Sequence, residues 1–63
     1  MDDEEIRILD RFTTQAGFIF TVRDGNQYSV GQTVRYHGSY YTIIGININR
    51  SLNVIGLNVV RKS

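Results

Sequence analysis

The side chains best suited to chemistry in this chain are cations and aromatics, and they lie close together. Arg35, His37 and Tyr40 fall within the short stretch Arg35-Tyr36-His37-Gly38-Ser39-Tyr40, and Arg23 closes an earlier apolar run. A guanidinium binds phosphate through a planar fork and stacks on bases, and an aromatic ring exposed on a curved sheet gives a base a flat partner. Together these residue types describe a surface that binds single-stranded nucleic acid. A soluble surface with scattered arginines is the plainer account of the same four positions.

Catalysis is a poorer fit. Nucleophilic chemistry needs a nucleophile, a base and an orienting group within hydrogen-bond reach. His37 is the sole histidine, and its ordinary place beside a tight turn is a surface site packed on Tyr40 across a strand pair. Beyond residue 5 the only carboxylates are Asp10 and Asp24, and Asp24 belongs to the turn sequence Asp24-Gly25-Asn26, so no acid–base pair assembles. There is no cysteine, which removes thiolate metal sites and disulfides alike. No glycine-rich loop leads into a lysine and a helix. The expectation is a non-enzyme with no catalytic residues, no metal and no cofactor.

Charge is unevenly spread. Four of the six acids occupy residues 2–5, whereas from Ile6 onward six arginines and one lysine face two acids, a net +5. The plain reading is a flexible acidic tail on an ordinary surface. The functional one is a basic face that meets phosphate, with the acidic head screening it. An acidic start is the reverse of a secretory signal, and no long apolar run follows, so a cytoplasmic protein without membrane segments is expected. Residues 1–63 form one domain. A chain of this length buries only about 60% of its unfolded surface, so stability rests on packing, dimerisation or a partner.

The elements that position these residues read as strands. Residues from Gly17 onward are rich in β-branched and aromatic types, interrupted by glycines, with no proline. Asp2 to Phe12 fits either a short helical turn or alternation. Phe18, Phe20 and Val22 alternate with Ile19, Thr21 and Arg23. A three-residue loop at Asp24-Gly25-Asn26 would pair Val22 with Tyr28 and Phe20 with Val30. A two-residue turn at Gly38-Ser39 would pair Tyr36 with Tyr41 and Val34 with Ile43 inside, and Arg35 with Thr42 and His37 with Tyr40 outside. Strict alternation then strands Ile46 and Ile48 in solvent unless a bulge at Gly45 turns them inward. Asn47 to Asn53 reads as a polar loop and Val54 to Val60 as the last strand. The expected fold is all-β: a small five- to six-stranded, partly or fully closed β-barrel built from consecutive hairpins.

The order of these signals resembles the second-domain β-barrel of the translational GTPases, the elongation factor Tu class. The matching pieces are Leu9-Asp10-Arg11-Phe12, the run from Gly17 to Gly25, Val30-Gly31-Gln32-Thr33-Val34, Ile44-Gly45-Ile46 and Ile55-Gly56-Leu57. The resemblance implies a barrel that, in that family, accompanies a GTPase domain and helps engage tRNA or the ribosome. The family's Gly-Arg-Gly turn after the first strand has no counterpart here. The functional expectation is therefore a non-catalytic binding or adaptor module acting through a protein partner or nucleic acid. A nucleic-acid-binding barrel using Arg23, Arg35, His37 and Tyr40 is the sharper alternative. A self-assembling subunit, such as a homodimer paired through its strand edges, is the third.

Overall fold

The computed structural model of the chain describes residues 5–25 and 27–62. It is all-β, with strands β1 (Asp10–Thr13), β2 (Phe18–Arg23), β3 (Thr33–Tyr36), β4 (Ser39–Asn49) and β5 (Val54–Arg61). They make one five-stranded sheet in the order β1-β2-β5-β4-β3, antiparallel throughout. The sheet curls into an open half-barrel, not a closed five- or six-stranded barrel, with β1 and β3 as its outermost strands. The acidic run, apart from Glu5, lies outside the described residues, as does Asn26 of the first expected turn.

The strand order corrects the first expected hairpin. β2 does not pair with residues 28–30. It pairs with β5, matching Phe18 with Val59, Phe20 with Leu57 and Val22 with Ile55. That match sets three apolar pairs on the inner face, more than the local alternative could offer, and apolar burial outweighs the convenience of a nearby turn. Residues 27–32 are loop, with Val30 in solvent and Tyr28 half-buried against the core. The fold is therefore not a run of consecutive hairpins.

The second hairpin forms with a different turn. His37 and Gly38, with φ of 50° and 79°, occupy its centre, and Tyr36 pairs with Ser39, Arg35 with Tyr40 and Val34 with Tyr41. Positive φ at both central positions defines a type I′ turn, whose twist suits adjoining strands better than the alternatives. The expected pairings of His37 with Tyr40 and Arg35 with Thr42 are thus displaced by two residues. Because the side-chain period is also two, the inward and outward faces are as expected: Val34, Tyr41 and Ile43 are buried.

The bulge also forms. Register shifts between Ile43 and Gly45 against β5, which turns Ile46 toward Leu57 and Ile48 toward Ile55. Ile46 packs against the core, whereas Ile48, near the strand end, stays exposed. β4 runs on to Asn49, so the expected polar loop shrinks to a turn at residues 50–53.

Phe20, Ile43 and Leu57 are completely buried (0% exposed), each such side chain contributing about 1.5–3 kcal/mol. Phe18, Phe20 and Tyr41 interlock, with ring centroids 5.2–6.2 Å apart. The segment from Glu5 to Leu9 straps the gap between the two edges. Ile6 N–H donates to Arg35 O and Leu9 N–H to Thr21 O, both at 2.7 Å, while Ile6 and Ile8 pack on the core. Alternation, not a helical turn, describes this stretch. Gly17 lets β2 start directly against β5, since a Cβ there would collide with Val59 O.

Candidate nucleic-acid interface

The type I′ turn and the β3–β4 register together decide which side chains meet on the outer face. Val34 points into the core, so its neighbour Arg35 points out; Tyr41 is buried, so Tyr40 points out. Arg35 and Tyr40 are directly paired. Lys62 N–H donates to Tyr40 O at 2.8 Å, and the alternation that buries Ile55, Leu57 and Val59 carries Lys62 to the outer face. Arg35, Tyr40 and Lys62 thus form one cross-strand row, cation–aromatic–cation, spanning about 10 Å at the usual strand spacing. Tyr40 is 42% exposed.

The row continues one segment further. Glu5 forms a parallel bridge with Arg35, and its Oε1 lies 4.0 Å from Arg35 Nε, with the side chains 43% and 40% exposed respectively. That separation is an ion pair but too long for a hydrogen bond, and exposed pairs of this sort contribute about 0–1 kcal/mol. Arg35 Nε itself is buried and has no hydrogen-bond partner. The exposure of this side chain therefore belongs to its other atoms, while one N–H at the stem is covered and unmatched. An unmatched buried donor costs about 1–3 kcal/mol, and an acceptor in better geometry would relieve it.

His37 sits in the turn at the same end. It is exposed, and its ring stands 4.2 Å from that of Tyr36 at 86°. Tyr36 in turn lies 5.0 Å from Phe20, so a chain of rings ties the turn to the core. Arg61 pairs with Tyr41 on the inward register and its Nη2 reaches Ser39 Oγ at 3.4 Å. It adds positive charge at this end from the other side of the sheet.

Arg23 is not part of this group. It pairs with Val54, and Val54 with Asn49, at the opposite end of β4 from Tyr40. There it lines a shallow open groove with Leu9, Asp24, Leu52, Asn53 and Val54. The structure therefore joins Arg35, His37 and Tyr40, leaves Arg23 apart, and adds Lys62 and Arg61. Lys62 was readable from sequence by carrying the Val54–Val60 alternation two residues past its last apolar member. Arg11 is engaged elsewhere, its guanidinium 5.4 Å from the Phe18 ring centroid.

Among the described residues no group of three or more His, Cys, Asp or Glu side chains gathers in a form that could hold a metal. None of them forms a helix long and apolar enough to cross a membrane. No protein-family model, curated protein or solved structure matches the chain.

Proposed function

We propose that the chain is a non-catalytic binding module acting through a macromolecular partner, and that the partner is single-stranded nucleic acid. The observation that supports this reading is the Arg35–Tyr40–Lys62 row. A ring flanked by two cations on an outward sheet face matches what an unpaired strand offers: a base to stack and phosphates on either side. The I′ turn adds His37 and the inward register adds Arg61 at the same end.

The test is an amide NMR titration of the labelled protein with a pool of short single-stranded RNA and DNA at low salt. Shifts are expected at Arg35, His37, Tyr40 and Lys62, with Arg23 unmoved, and they should reverse as salt rises because phosphate contacts release counterions. Shifts confined to the Arg23 groove, or none at all, would overturn the reading.

A further inference from the structure

We infer that Phe12 is a second base-stacking ring, and that a bound single strand runs from Tyr40 across the outer sheet face to it. This rests on the nucleic-acid reading above and gives that reading its footprint. Residues directly paired across strands project from the same face of a sheet. Phe12 pairs with Ile19, Ile19 with Asn58, and Asn58 with Gly45 at the bulge. Phe18 and Phe20, on either side of Ile19, pack in the core, so this whole row lies on the outer face with Tyr40. Arg11 takes the other side of β1, its guanidinium over the Phe18 ring, which commits Phe12 outward. Phe12 is 53% exposed and Tyr40 42%, and among the described residues no other Phe or Tyr is as open to solvent.

The spacing of the two rings sets the length of strand they can share. Along β5 their rows lie four residues apart, from Lys62 to Asn58, and β4 lies three strand positions from β1. The rings are therefore about 20 Å apart, a few nucleotides of strand. That suits the lower end of the range of about 4–16 nucleotides that small barrels cover. The surface between them is uncharged: β-branched side chains and the Asn58 amide. A Cβ on Gly45 would stand 3.4 Å from Asn58 Nδ2, so the bulge glycine keeps the surface beside that amide low enough for a base to lie on it. The cations at one end, Arg35 and Lys62, fix where the strand starts. Asp10, two residues before Phe12 on the same face, repels phosphate and fixes where it stops.

The experiment titrates the labelled full chain with oligothymidines of two and eight nucleotides at low salt, reading affinities from amide NMR shifts. The octamer should shift the amides of both Tyr40 and Phe12, the dinucleotide those of Tyr40 alone. Phe12→Ala should weaken the octamer by about five- to hundredfold and leave the dinucleotide unchanged, whereas Tyr40→Ala should weaken both. Phe12→Leu, which keeps an apolar side chain beside Ile19 without the flat ring, should follow Phe12→Ala, and Phe12→Tyr should bind as the unmodified chain does. Matching amide spectra of β2 and β5 verify the fold of each variant. An octamer affinity that ignores Phe12→Ala but falls with Tyr40→Ala would overturn the footprint and leave the nucleic-acid reading standing. Equal losses for dinucleotide and octamer on Phe12→Ala would do the same. Failure of the unmodified chain to bind either length, or binding that ignores Tyr40→Ala and Lys62→Ala, would overturn both.

Discussion

The two faces of β5 divide the molecule's tasks. Ile55, Leu57 and Val59 point inward and are almost wholly buried, whereas Val54, Gly56, Asn58 and Val60 point outward and are only partly covered. The inner face is a single apolar contact set spanning β2, β3, β4 and β5, so each member depends on the others. The outer face is built of small, β-branched and amide side chains through its middle, flanked by exposed Phe12 on β1 and Ile44 at the bulge. Arg35, Tyr40 and Lys62 align at one end of it. One strand therefore holds the fold with its odd residues while its even residues lead to the Arg35–Tyr40–Lys62 row. Changes to the two faces should separate stability from binding.

The largest effect tests the inner face. Leu57→Ala should cost about 2–5 kcal/mol, against a total of about 3–9 kcal/mol for a chain this length; Thr42→Ala on the outer face should cost under about 1 kcal/mol. Urea unfolding of the pair measures the contrast. If Thr42→Ala is as damaging as Leu57→Ala, the outer face is buried in an assembly and the division fails. Next comes Gly17→Ala, which forces a methyl into Val59 O and should destabilise by about 1–3 kcal/mol, read as a fall in thermal midpoint. Tyr40→Ala should lose about 1–3 kcal/mol of oligonucleotide affinity with little change in the urea midpoint. Lys62→Ala should lower the slope of log affinity against log salt by about 1. The smallest effect is His37→Asn, since Asn suits the positive φ of a I′ position better. A gain of about 0.5 kcal/mol is expected, visible as a small rise in midpoint.

The faces were legible in the sequence and the partners were not. Val34, Tyr41 and Ile43 could be assigned to the core because alternation survives any register error of two, and moving the turn by one residue, from Gly38–Ser39 to His37–Gly38, shifts the pairing by that amount. The bulge was legible because strict alternation would have left Ile46 outside, next to a glycine able to bend the strand. The pairing of β2 with β5 was hidden. Tyr28 and Val30 mimic the alternation of a neighbouring strand, and nothing local shows that residues 55–59 match β2 better. His37 concealed the turn, because histidine at positive φ is less common than Asn or Gly. Of the four proposed residues, alternation placed Arg35 and Tyr40 on one outer face, where the structure also pairs them, whereas Arg23 lies at the opposite end of β4.

The strap and the end of β5 also bear on how this fold tolerates being re-cut. Glu5 and Lys62 both join the row that runs through Arg35 and Tyr40, so the described chain starts and finishes within a few strand spacings of itself. A linker there and new ends in the exposed turn at residues 50–53 would keep every strand pairing in the sheet except the covalent β4–β5 connection. Such a circular permutant would enclose the Arg35–Tyr40–Lys62 row within continuous chain. Conversely, anything joined to the chain just before Glu5 or just after Lys62 would be delivered beside Tyr40, where the tether itself sets the local concentration of whatever it carries.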